Sequence, residues 1–233
     1  GAYRAEQLTY LSGLIHRRQT AKELDAWLTE LAESDLARDP HSDTGSTIRE
    51  LRRNYDRQTK LPQSLVEELT RASVLGQQAW ASARANDSFQ EFQPHLEQLV
   101  SLKQQEADAM CYDQGRYDAL LDEFEPGAKT AQVATVLREL AEALVPLIQA
   151  VGESKNRPPA DILHREFPAD RQRKIGRNVA SKIGFDFRRG RIDETDHPFC
   201  TSLGPNDCRI TTRYDEAFFP SAFFGTLHEA GHG

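Results

Sequence analysis

Long hydrophobic runs are missing from this 233-residue chain. No stretch approaches the ~20 apolar residues that cross a bilayer as a helix, so no membrane partner is expected. Gly1 to Thr9 carries no leader-like pattern of a charged segment followed by an apolar one. Cysteine is scarce: Cys111, Cys200 and Cys208 are the only three. An odd, sparse set argues against a disulfide framework and for a reducing, cytoplasmic setting. Cys200 and Cys208 come near each other only if their segments pair, and the plainer reading is two small buried residues. There is no basic excess either, with 29 Lys and Arg against 36 Asp and Glu and a net charge of -7. Without a basic stripe, nucleic acid is not an expected partner. Internal repeats and low-complexity tracts are also absent.

What is present is a polar, helix-like pattern. Hydrophobic residues make up 38% and charged residues 28%, and mean hydropathy is -0.64. That mix fits long amphipathic helices better than a sandwich or barrel. Leu8, Leu11, Ile15, Leu24, Leu28 and Leu31 recur at helical steps. Asp39-Pro40 breaks the pattern. Thr47 with Glu50 suggests a capping box for a second helix, with Ile48, Leu51 and Tyr55 on one face. Pro62 suits the first turn of a third, whose stripe is Leu65, Leu69, Ala72 and Ala79. Ser88 with Glu91 is another candidate cap, and Pro94 is expected to open a further helix. Glu125-Pro126-Gly127 is a stop. Thr130 starts a helix bearing Leu137, Leu140, Leu144, Leu147 and Val151, which Pro146 should kink or end. Pro158-Pro159 marks a loop, and 171–183 reads as one more helix.

The character changes after Gly184. The aromatic segment 184–192 and the alternating segment 207–214 read as strands, and 220–232 reads as a helix. The expected fold is mainly α: a multi-helix body over 1–183, with a small antiparallel β-sheet beside the last helix over 184–233. The two parts are expected to form one continuous domain.

The last helix carries His228-Glu229-Ala230-Gly231-His232. Residues four apart share a helix face, so both imidazoles can reach one metal ion, and neutral imidazole is a good zinc ligand. Glu229, offset along the helix, is placed to reach a water at the metal rather than the metal itself. This is the layout of the H-E-x-x-H motif, with the Glu as general base. A third ligand is normally needed. An upstream group, His197 or Asp207, is the only kind of candidate within the chain.

Three blocks carry a resemblance. His197-Pro198-Phe199, then 207–212 (Asp-Cys-Arg-Ile-Thr-Thr), then the His228–His232 motif resemble the HPF, DxRIT and zinc motifs of the M32 metallocarboxypeptidases, in that family's order. Tyr117 to Leu121 with Glu125-Pro126-Gly127 is also similar. The resemblance implies a mostly helical protein with a deep substrate groove, commonly a homodimer. It implies removal of single residues from peptide C-termini with zinc or cobalt. His228 and His232 would be the metal ligands and Glu229 the base, with the HPF and DxRIT blocks supporting the site. Family members are longer, and their third ligand, a Glu, lies downstream of this motif. The chain is therefore expected to be the N-terminal part of such an enzyme and inactive by itself.

His197 is a candidate for substrate contact, although a His before Pro is often only a turn residue. Arg209 and Arg213 can fork onto a carboxylate; a salt bridge to Asp207 or Asp215 is the plainer role. Asp207 can orient a neighbouring ligand His. Tyr214 and the cluster Phe218, Phe219, Phe223 and Phe224 read as core. Two other functions compete: an endopeptidase of another zinc class, and a helical dimerisation or binding module without catalysis.

Overall fold

The computed structural model describes residues 1–112 and 115–233. Its backbone divides into two compact units, Gly1–Ile148 and Gln149–Gly233. The second unit takes in one helix more than the 184–233 segment picked out by composition.

The first unit is helical. It contains α1 (Ala2–Gln19), α2 (Lys22–Glu33), α3 (Asp43–Gln58), α4 (Gln63–Ala85), α5 (Phe89–Met110) and α6 (Arg116–Leu121). The break after α1 falls at Thr20-Ala21, ahead of the Asp39-Pro40 stop. α1 buries Ala5, Gly13 and His16, while Leu11 and Ile15 are exposed. Small residues let α1 lie close to α4: a Cβ on Gly13 would fall 2.0 Å from Glu67 Oε1. The His16 ring nitrogen Nε2 bonds the Gln58 carbonyl at 3.1 Å, which satisfies a buried polar group. α4 packs on both α1 and α5. Leu61, Leu65, Ala72, Leu102, Ala107, Met110 and Ala119 form the core there, in line with the expected Leu65 and Ala72 stripe.

Two helix starts differ from expectation. α3 begins at Asp43, capped by the Ser42 hydroxyl, which accepts from Gly45 N at 3.1 Å. Thr47 lies inside the helix and donates to the Asp43 carbonyl instead. Pro94 does not open a helix but sits within α5. It lies in the second turn, where only the bond back to Gln90 is lost.

Two aspartates of α6 and its C-terminal edge organise the Glu125-Pro126-Gly127 turn. Asp122 accepts from Gly127 N at 2.9 Å and from Arg57 and Arg53 at 2.8 and 3.1 Å. Asp118 accepts from Thr130 N at 2.8 Å and from the Thr130 hydroxyl. Gly127 has φ of 81°, a conformation glycine adopts without strain. α7 (Thr130–Glu153) then runs through Pro146. None of its residues is buried, and Leu137, Leu140, Leu144, Leu147 and Val151 are all exposed.

The second unit holds α8 (Ala169–Lys182), β1 (Gly190–Glu194), β2 (Cys200–Gly204), β3 (Asp207–Thr212) and α9 (Phe219–His232). The strand order is β1-β3-β2. β2 and β3 pair antiparallel, as expected, but β1 and β3 pair parallel, with Ile192 opposite Ile210. The sheet is therefore mixed, not wholly antiparallel. The chain between β1 and β2 turns back at Thr195 to Phe199, so β2 enters on the far side of β3. Ala180, Phe185, Ile210 and Ala230 are buried together, with Phe187, Ile192, Cys200 and Cys208 packed around them. Tyr214 is half-buried, with Arg173 over its ring. Phe218, Phe219 and Phe223 are half-buried too, but Phe224 is 64% exposed, so it is not core here.

Candidate metal centre

α9 separates its residues onto two stripes. Ala222, Thr226 and Ala230 follow at four-residue steps and are buried, so they share the face packed on α8 and the sheet. Phe224, His228 and His232 follow at the same steps, two residues out of phase, and are exposed. Packing of the small-residue stripe is what turns the two imidazoles outward. The Thr226 hydroxyl donates to the Thr212 hydroxyl at 3.2 Å, both side chains buried. This bond ties α9 to β3 within that packed face.

The two ring nitrogens Nε2 of His228 and His232 lie 3.3 Å apart, with the rings nearly perpendicular at 84°. Two ligands of a tetrahedral zinc at 2.0–2.1 Å are separated by about 3.3–3.4 Å. The His228–His232 separation matches that spacing. Glu229 lies between the exposed and buried stripes and is itself buried, at 7% exposure. Among the described residues, no group of three or more His, Cys, Asp or Glu side chains is placed to hold a metal ion.

The HPF and DxRIT blocks meet directly. Phe199 N donates to Thr211 Oγ1 and Thr211 N donates to the Phe199 carbonyl, both at 2.9 Å. The Thr211 hydroxyl also lies 3.4 Å from the His197 carbonyl. Pro198 Cγ is 3.9 Å from where a Cβ on Gly225 would stand, so the HPF turn rests against α9 one turn before the motif. His197 is exposed, and its Nδ1 contacts the Pro198 carbonyl at 2.6 Å. Asp207 accepts two bonds from Arg209, both at 2.9 Å. The Arg209 guanidinium holds the Asp207 carboxyl below the usual carboxylate range. The pair thus satisfies itself along one strand, the plainer of the roles the sequence offers. The sequence places Thr211 and Thr212 in the DxRIT block but does not show that Thr212 bonds Thr226. The small-residue spacing 222, 226, 230 just ahead of the motif was the available signal.

A helix presenting two imidazoles four residues apart, with Glu229 between them in sequence, has the layout of the H-E-x-x-H motif of metallopeptidases. The profile of the carboxypeptidase Taq (M32) metallopeptidase family matches residues 1–233, and the chain belongs to that family. It is 38% identical over 240 residues to thermostable carboxypeptidase 1 of Thermus thermophilus, covering 99% of this chain and 47% of that protein. Its structure is similar to the crystal structure of BsuCP, with a TM-score of 0.92 at 35% identity, covering 99% of this chain and 46% of that one. It is also similar to the M32 carboxypeptidase from Deinococcus radiodurans R1, with a TM-score of 0.79 at 37% identity, covering 98% and 45%. The chain thus spans about half the length of these relatives.

Proposed function

We propose that this chain supplies two metal ligands and the general base of a carboxypeptidase that removes single residues from peptide C-termini. The observation that carries the reading is the 3.3 Å separation of the His228 and His232 Nε2 atoms, with Glu229 between them in sequence. His228 and His232 would hold zinc, or cobalt in its place. A bound divalent ion supplies Lewis-acid polarisation of the scissile carbonyl. Glu229 takes the proton of the attacking water on its carboxylate and returns it to the leaving amine nitrogen. Thr226 and Thr212 tie α9 to β3 behind the exposed face that carries His228 and His232. His197, Asp207 and Arg209 support the strand and turn that flank α9.

Two imidazoles hold zinc weakly, because structural and catalytic zinc sites use three or more protein ligands. We therefore read the 233-residue chain alone as a weak zinc binder without turnover, its third ligand coming from the remaining length of the family's fold. The sparse cysteines favour a cytoplasmic setting, and family resemblance favours a homodimer.

The test uses a full-length family enzyme carrying this chain. A peptide with a free C-terminus should be shortened one residue at a time, and its C-terminal amide should resist. Glu229→Gln should keep its metal and lose roughly 10²–10⁴-fold in kcat. Cleavage inside both peptides, or near-normal turnover of the variant, overturns the reading.

A further inference from the structure

Cys200 opens β2 and Cys208 lies near the start of β3. In the antiparallel register Cys200 stands opposite Ile210 and Ser202 opposite Cys208. The two cysteines are therefore diagonal neighbours on one face of the sheet, the face packed with Phe185, Ile210 and Ala230. Both are free thiols, and their sulfurs are 3.5 Å apart. A disulfide needs them at about 2.05 Å, so closure brings the sulfurs about 1.5 Å nearer and draws the two strands together. Cys208 also lines a cleft of about 180 Å³ with Ser202 and Asp207, which opens it to small reagents. Cys200 is deeper. Burial, the neighbouring Cys208 thiol and the nearby Glu229 carboxylate push the Cys200 thiol up to about 11.

We propose that Cys200 and Cys208 form a reversible dithiol–disulfide pair, oxidised by a small disulfide of the glutathione class. The Cys208 thiolate attacks one sulfur of oxidised glutathione. That S–S bond breaks and one glutathione thiolate leaves. The Cys200 thiolate then attacks Cys208 Sγ in the mixed disulfide and expels the second glutathione. The protein loses two protons and two electrons, and the oxidant gains them as two glutathione thiols. Because Cys200 is held as the thiol, the second step is the slow one and quickens with rising pH. The product ties the strand after the HPF turn to the DxRIT strand beside Glu229. This inference stands independently of the catalytic reading.

The experiment incubates the folded chain with oxidised glutathione at mildly alkaline pH, blocks remaining thiols with an alkylating agent and maps tryptic peptides. Peptide Ile192–Arg209 contains both cysteines. It should appear two hydrogens lighter and unalkylated, and dithiothreitol should restore two alkylatable thiols. Exposed Cys111 should instead take an alkyl group or a glutathione. In Cys200→Ser, with its fold checked by circular dichroism, Cys208 should stop at the glutathione adduct. Oxidised wild type should also unfold at a higher temperature than the reduced form, a shift absent in Cys200→Ser. Two alkylated cysteines in wild type overturn the proposal. So does a stable glutathione adduct on wild-type Cys208.

Discussion

The hydroxyl of Thr226 on α9 reaches the hydroxyl of Thr212 on β3 across 3.2 Å, in a place closed to solvent. Neither residue belongs to the His-Glu motif, yet this bond lies within the packed face that turns His228 and His232 outward. Thr226→Val keeps the shape and leaves the Thr212 hydroxyl without its partner, which costs about 1–3 kcal/mol for a buried group. Urea denaturation should show the unfolding free energy falling by that amount, seen as a lower midpoint with the slope unchanged.

Two glycines of the second unit should respond to alanine with opposite sign. A Cβ on Gly190 would stand 2.6 Å from Phe185 Cζ and 2.8 Å from the Cys208 carbonyl oxygen. Gly190→Ala should destabilise by about 1–3 kcal/mol through overpacking. A Cβ on Gly176, inside α8, meets Thr226 Oγ1 at an ordinary 3.4 Å. Gly176→Ala should gain roughly 0.5–1 kcal/mol from the lower entropy of the unfolded chain. Thermal melts of the two variants beside wild type check both signs.

Acid should weaken the first unit through Asp118 and Asp122. Hydrogen bonds from Thr130 lower the Asp118 carboxyl. The Gly127 amide, then Arg53, lower that of Asp122, against an opposing desolvation cost. Both folded values lie below the unfolded carboxylate value of about 3.9. Their stabilising contribution is thus present above about pH 4 and lost as pH falls through the depressed folded values. The denaturation midpoint should decline below about pH 4. Asp122→Asn should be less stable at neutral pH and decline less over that acid range.

Zinc titration by calorimetry tests the ligand pair. The chain should bind one zinc weakly, and either His228→Ala or His232→Ala should remove the signal. Affinity should also fall with acid, because the ligand form of imidazole is neutral. Tight binding that survives both substitutions would move the site elsewhere.

That His228 and His232 share a helix face was legible because a four-residue spacing on a helix is nearly a geometric statement. The helical body was legible for the same reason, from periodicity in segments such as Leu65 to Ala72. The start of α3 was not, because Thr47 has Glu50 three residues on, whereas the actual cap, Ser42, has only Gly45 there. Pro94 was misread since a proline in the second turn sacrifices a single bond rather than a helix. The direction of β1 was hidden because alternation reports which face a strand buries, not which way its neighbour runs. The exposed stripe of α7 and the exposed Phe224 show the matching limit for burial. Apolar spacing names a face, and its covering depends on chain far away in sequence.

The order β1-β3-β2 also bears on how this unit assembles. β2 meets β3 through partners as near in sequence as Gly204 and Asp207, whereas β1 joins it through pairs such as Gly190 and Cys208. Closing a short loop forfeits less chain entropy than closing a long one. The hairpin that joins the HPF and DxRIT blocks should therefore nucleate, and β1 should dock onto it afterwards. Substitutions along β2 and β3 would then slow folding, while those in β1 would chiefly hasten unfolding.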